Sequence, residues 1–334
     1  MTSTFYSSAD AGAPQLGANV SGSLNNVLRA VLVNGYGEKS PLGWEIAFED
    51  ALTDRIVFRA TEGTRCFLLF DDGAVNNSGT YPWATCYAFE TMTSIDQWYQ
   101  RCPPTDTNIY VIKGHSNVAT AVPWIIIGDG KFFWLFTCPY HTNSPGTGHG
   151  LSYSCTCFGD YVSLDPSNNH NFLHIANIAN PNSYVYNNLA SLISFIRDPF
   201  THEKGSVKNG QFDIDVTCGA HIGSKYVYPP ISPLNGKYMY EAPKIWAPES
   251  RPPQYGNSLV GWLPGLLDCY WSSEKRLTTP GQSGVLNDSE LALVWDTSGD
   301  YSIVQIPVKL TDKAVIVQCM RFSIIVGEGF RRAY

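Results

Sequence analysis

Apolar and polar residues along this chain follow two rhythms, and the shorter one dominates. In "SGSLNNVLRAVLVNGYG" the apolar positions Leu24, Val27, Leu28, Val31 and Leu32 recur at the spacing of one helix face. This predicts a helix over residues 22–34, with Ser21 or Ser23 capping its start and Asn34-Gly35 ending it. "NNLASLISFIRD" places Leu189, Leu192, Ile193 and Ile196 on one face and predicts a second short amphipathic helix over 187–197. Almost everything else reads as strand. "GWEIAFED", "RIVFRAT", "TRCFLLFDDG", "ATCYAFETM" and "NIYVIKG" are short β-branched or aromatic runs separated by turn residues. "PWIIIGDGKFFWLFT" predicts two strands, Trp124–Ile127 and Lys131–Phe136, joined by Gly128-Asp129-Gly130, where glycine tolerates a positive φ. Both arms are almost continuously apolar, so both faces of this hairpin should be covered. "LALVWD" and "YSIVQIPV" flank the turn "TSGD" as a second hairpin, and "AVIVQCMRFSIIVGEG" supplies closing strands. The expected fold is mainly β (a β-rich α+β chain), with antiparallel, sandwich-like sheets and two short amphipathic helices.

The pattern also predicts the domain organisation. Residues 1–20 are small, polar and punctuated by Gly and Pro, and read as an N-terminal arm. A β-rich domain follows over 21–200, ending near the polar "DPFTHEKGSVKNG". A second β-rich region covers 201–334 and holds a Pro-rich segment, 229–253, unsuited to regular ladders. Within the arm the adjacent aromatics Phe5 and Tyr6 are the candidate assembly contact, ordering on a partner. On that reading, deleting residues 2–12 should leave the melting temperature unchanged.

Composition narrows the function. Charged residues are only 15% of the 334, against 44% hydrophobic and 13% aromatic. That balance suits surfaces covered by partners, or surfaces that bind sugars. A net charge of −7 argues against a nucleic-acid binder, which needs a basic stripe to meet phosphates; Arg331 and Arg332 make no such footprint. No apolar run is long enough for a transmembrane helix, and "MTSTFYSSADAGAP" lacks a signal peptide's basic start and apolar core, so synthesis in a cytoplasm is expected, without membrane insertion. Nine cysteines at irregular spacing read mostly as buried reduced thiols.

Catalytic and metal motifs are weak. Cys138, His141, His149, Cys155 and Cys157 are the best metal-ligand candidates, but C-x-C chelates less well than C-x-x-C, and no stoichiometric zinc is expected. His170 and His174 in "HNFLH" stand four apart with no glutamate between them to act as a metalloprotease base. Asp71 with Asp72, and Asp213 with Asp215, are paired carboxylates; Asp213 and Asp215 would share a strand face, yet such pairs more often blunt sheet edges than catalyse. With no nucleophile elbow, phosphate loop or dinucleotide fingerprint, the expectation is a non-enzymatic protein with no cofactor.

One resemblance adds to this. "GSLNNVLRAVLVNGYGEKSPLGWEIAFEDALTDRIVFRATEGTRCFLLFDDG" resembles a group of poorly characterised structural proteins of tailed bacteriophages. The features that carry it are a helix ending L-V-N-G-(Y/F)-G, then G-W-x-x-x-F, a strand with F-R-A, and a strand ending D-D. "FYSSADAGAPQLG" is similar to that family's start, and "ETMTSIDQW", "PWIIIGDGKFFWLF" and "APKIWAPESRPPQYGNSLVGWLPGLLDCY" match more loosely. The resemblance implies a virion component, made in the host cytoplasm and assembled with other virion proteins and copies of itself. It supplies no catalytic residues. Exposed Trp and Tyr can also stack on sugars, so a virion-borne module that binds or cleaves host-surface glycan is the alternative.

Overall fold

The computed structural model describes residues 2–73, 82–102, 110–114, 121–137, 154–165, 167–176 and 192–198, then 213–215, 240–241, 244–246, 259–269, 292–293, 304–305, 308–311, 314–319, 322–327 and 331. The chain divides into two compact units: Phe5–Tyr161 with Pro166–Gln211, and Met1–Thr4 with Val162–Asp165 and Phe212–Tyr334. Both are built from antiparallel strands.

The larger unit opens with β1 (Thr4–Ser7) and one short helix, α1 (Ser23–Arg29), which continues into a π-helical turn (Ala30–Asn34). The next strands are β2 (Glu45–Asp50), β3 (Arg55–Arg59), β4 (Phe67–Asp71), β5 (Trp83–Ser94), β6 (Gln97–Cys102) and β7 (Tyr110–Ile112). They form one sheet in the order β2-β3-β4-β5-β6, with β7 also paired to β5. A second sheet takes β1 together with β8 (Trp124–Gly128), β9 (Phe132–Thr137), β10 (Ser154–Asp160), β12 (Phe172–Ala176) and β13 (Leu192–Phe195), in that order.

Period-two alternation lets these sheets share a core. From the first sheet, Ile56, Phe58, Leu68, Phe70, Ala84, Cys86 and Ala88 enter one buried cluster. From the second come Trp124, Ile126, Phe133, Leu135 and Phe158, and the helical stripe Leu24, Val27, Leu28, Val31 and Leu32 closes it. The intervening residues of β8 and β9 (Ile125, Ile127, Phe132, Trp134, Phe136) are buried too, so this hairpin is covered on both faces. Gly128 is required by proximity rather than by a positive φ: a Cβ there would lie 2.5 Å from the Phe132 carbonyl oxygen.

Strand β11 (Val162–Ser163) belongs to the smaller unit. There it forms a sheet with β14 (Asp213–Asp215), β16 (Lys244–Trp246) and β17 (Leu259–Trp262) in the order β11-β17-β16-β14. A five-stranded sheet runs β15 (Tyr240–Glu241), β18 (Leu266–Cys269), β23 (Phe322–Gly327), β22 (Ala314–Cys319), β21 (Val308–Thr311). β19 (Ala292–Leu293) and β20 (Val304–Gln305) pair antiparallel; the expected turn "TSGD" between them lies outside the described residues.

Three expectations are corrected. Leu192–Phe195 is strand, not helix, and is laddered to β12 from Leu173↔Phe195 to Ala176↔Leu192; residues 187–191 lie outside the described residues. A five-residue run of Leu, Ile, Ser and Phe fits a half-buried pleat as well as a helix face, and pairing with a neighbour decides. The helix is not capped by Ser21 or Ser23. Gly22 stands at the cap position without a side-chain bond, Ser23 Oγ donates back to the carbonyls of Gly17 and Val20, and the Leu24 N–H is received by Asp72 Oδ2 at 2.8 Å. Nor do residues 5–20 form a free arm: β1 lies beside β8, Leu16 bridges to Val122, and Tyr6 and Leu16 are fully buried.

Candidate functional site

The same alternation that fills the core leaves a second apolar layer on the outer face of the β2–β6 sheet. Val57, Phe67, Leu69, Phe89 and Met92 form a separate buried cluster there, with Phe48, Tyr87 and Ile95 packed against it. Phe48 stacks on Phe67 at 6.1 Å, and Phe89 meets Trp98 at 5.1 Å. Two arginines lie over this aromatic layer. The Arg59 guanidinium sits 4.7 Å from the Phe67 ring centre, and Arg101 lies 5.1 Å from Tyr87 and 5.6 Å from Trp98. Such contacts hold a cation against a ring face and keep both side chains in fixed orientations. Trp98 and Tyr99 on β6 remain 48% exposed, a large apolar area left in water.

Ion pairs fringe this sheet. Arg29 binds Glu49, Arg59 lies 3.6 Å from Glu45, and Arg55 reaches Asp50 at 3.2 Å and Asp96 at 2.7 Å. The Thr53 hydroxyl and then Arg55 hold the Asp50 carboxyl below the usual carboxylate range. Burial pushes the Tyr87 phenol up, with Arg101 pulling the other way. The arrangement is an aromatic platform with paired charges at its margins.

Among the described residues, the sequence candidates for chemistry are not assembled into a site. Cys138, His141 and His149 lie outside the described residues. Cys155 and Cys157 stand on β10, where Cys157 is a buried thiol. Cys66, Cys86 and Cys102 are likewise buried thiols, and burial pushes the Cys66 thiol up to about 12, far from a reactive thiolate. Among the described residues, no group of three His, Cys, Asp or Glu is placed to hold a metal. Asp213 and Asp215 sit on β14, opposite Trp246 and Lys244. Asp71 ends β4, whereas Asp72 is turned inward against Lys113. Phe5 is half-buried and Tyr6 donates from its hydroxyl to the Ser40 carbonyl at 2.6 Å, so Tyr6 serves this chain's own core instead of anchoring a partner.

His174 lies within strand β12 and His170 just before it, so the two are not paired on a helix face. His170 Nδ1 lies 3.9 Å from Glu90 Oε1, which also accepts from Arg197 Nε at 2.9 Å. His174 is wholly buried, its ring 4.3 Å from that of Phe158, and neither ring nitrogen finds a hydrogen-bond partner. Burial pushes this imidazole down to about 3 from 6.5. The unfolded chain therefore takes up a proton near 6.5 that the folded chain refuses until about 3, and stability falls as pH is lowered through that window. Substituting His174→Phe should flatten that part of the urea-midpoint profile, and an unchanged acid slope would refute the assignment.

Comparison of the chain with protein-family models, with curated proteins and with solved structures finds no match in any of the three. Among the described residues no helix is long and apolar enough to cross a membrane.

Proposed function

We propose that this chain is a non-enzymatic structural component of a bacteriophage virion. It is made in the host cytoplasm and incorporated at the tail, a fibre attachment or another particle surface, beside other virion proteins or copies of itself. The observation that carries the reading is the aromatic outer face of the β2–β6 sheet, with Trp98 half-exposed on a platform fixed by Arg101. Low charge and the stretch resembling tailed-phage structural proteins, residues 22–73, support it. Proteomics of purified particles should find the chain at a fixed stoichiometry, and its absence from particles rejects the proposal. The double variant Trp98→Ala/Tyr99→Ala should keep the wild-type melting temperature within a few degrees, because both side chains are already half in water, yet lower incorporation.

A second reading draws on the same rings. An exposed indole beside a guanidinium offers a stacking surface and hydrogen-bond donors to a sugar. Calorimetric titration with host surface polysaccharide separates the two: saturable binding lost in Trp98→Ala, or release of reducing ends, favours a glycan-directed module over a scaffold.

A further inference from the structure

Lys113 and Asp72 are the one ion pair among the described residues in which both side chains are completely removed from solvent. Lys113 follows β7 and Asp72 follows β4, so they are distant in sequence yet locked in space. The Lys113 N–H bonds to the Pro82 carbonyl at 2.8 Å, while the Asp72 N–H bonds to Asp54 and its carbonyl accepts from Gly22. Lys113 Nζ donates to Asp72 Oδ1 at 2.6 Å and to the Val20 carbonyl at 2.7 Å. The other carboxylate oxygen, Oδ2, receives the Leu24 N–H at 2.8 Å. A nucleophilic amine and an electrophilic carboxyl are thus held in contact on fixed backbone, in a dry enclosure, with a donor on the oxygen that would carry charge during attack.

We propose that Lys113 and Asp72 are a self-modification site, at which the folded chain condenses the Nζ amine with the Asp72 carboxyl into an intramolecular isopeptide bond. The step balances without any co-reactant. The ammonium first passes one proton across the 2.6 Å contact to Oδ1, which leaves a neutral amine beside a carboxylic acid; the amine's lone pair then swings onto the face of the carboxyl and forms the Nζ–Cγ bond. Oδ2 becomes the oxyanion facing the Leu24 N–H. One amine proton passes to the Oδ1 hydroxyl, the Cγ–Oδ1 bond breaks, and water leaves as Oδ2 reforms the carbonyl. Burial favours the reactive forms of both groups: it pushes the Asp72 carboxyl up to about 6 and the Lys113 ammonium down from its ordinary value.

The product also suits the site better than the reactants. An ion pair in this enclosure keeps two charges out of water. The amide carries no charge and leaves one N–H and one C=O. Those match the two polar partners already in place, the Val20 carbonyl and the Leu24 N–H. The bond would tie the end of β4 covalently to the segment after β7, with the start of α1 held to it by the Leu24 N–H.

Mass spectrometry of the full chain, purified and then denatured, tests this directly. The expected mass is that of the sequence less one water. Proteolysis should then yield one branched species joining the peptide with Lys113 to that with Asp72, uncut at Lys113. Asp72 precedes Gly73, a pair that can also lose water by closing a succinimide on its own backbone. The variant Lys113→Arg separates the two: it should regain the full sequence mass, as should Asp72→Ala. An unmodified wild-type mass, or a water loss that persists in Lys113→Arg, overturns the proposal. Neither measurement requires a variant to fold.

Discussion

Replacing Lys113 with methionine should destabilise the larger unit by at least about 3–5 kcal/mol, the cost of stranding one member of a buried pair. Methionine fills much of the lysine stem's volume, so the effect is electrostatic rather than a cavity. With no amine to condense with, Asp72 would stay a free carboxyl that keeps the Leu24 N–H but has no cation beside it, and it could be buried only as the acid. The sign of the pH dependence follows. A carboxyl whose folded pKa lies above its unfolded value stabilises at low pH and loses that contribution as pH rises. Even beside Lys113, before the two condense, the Asp72 carboxyl stands at about 6; without Lys113 it remains a free carboxyl and rises further, so the deficit should shrink as pH falls toward and below 6. Adding Asp72→Asn should recover part of the loss even at neutral pH, since an amide oxygen still accepts from Leu24 without a charge. Urea unfolding monitored by Trp fluorescence reads all three chains. A Lys113→Met midpoint equal to that of wild type would mean that the pair contributes nothing.

What was legible in the sequence was whatever the local pattern dictates. The stripe from Leu24 to Leu32 forms a helical segment because that spacing puts all five residues on one face, which packs into the shared core, and "IIIGDGKFFWLF" forms a hairpin because two strand-length runs meet at a tight turn. The outer aromatic layer was also latent there. In "RIVFR" and "FLLFD" the residues between the core positions are themselves apolar, so a two-residue period leaves Val57, Phe67 and Leu69 on the far side. What was not legible were features fixed by contacts distant in sequence. Nothing in "NIYVIKG" distinguishes a lysine at a solvated strand end from one aimed at a carboxylate 41 residues away. The cap of α1 is invisible for the same reason, because its acceptor is Asp72 rather than a neighbouring serine. "LISFI" shows the converse failure: its spacing fits a helix, and the strand beside it overrode that preference.

The packing of the N-terminal segment is likewise fixed by contacts distant in sequence, and it carries the other large expected effect. Small polar residues from Met1 to Val20 give no periodic stripe, and from sequence alone deletion of residues 2–12 should leave the melting temperature untouched. The structure reverses that expectation. Tyr6 is fully buried, its ring 6.0 Å from that of Tyr36, which in turn meets Trp124 edge-on at 6.1 Å. The Tyr36 hydroxyl donates to Asp10 Oδ2 at 2.8 Å, and Lys39 Nζ donates to the Phe5 carbonyl at 3.0 Å. Burial, and then Asp10, push the Tyr36 phenol above its ordinary range, so it stays a neutral donor throughout the working pH range. Deleting 2–12 removes β1 from the edge of its sheet, opens a void where Tyr6 stood and leaves Tyr36 without its acceptor. Truncating a buried aromatic costs about 3–5 kcal/mol by itself, so Tyr6→Ala should destabilise by that amount and the deletion by more. Tyr6→Phe isolates the 2.6 Å bond to the Ser40 carbonyl and should cost about 1 kcal/mol. Thermal unfolding of the three variants orders them as Tyr6→Phe, Tyr6→Ala, then deletion. A deletion that melts with wild type would return the segment to the status of a free arm.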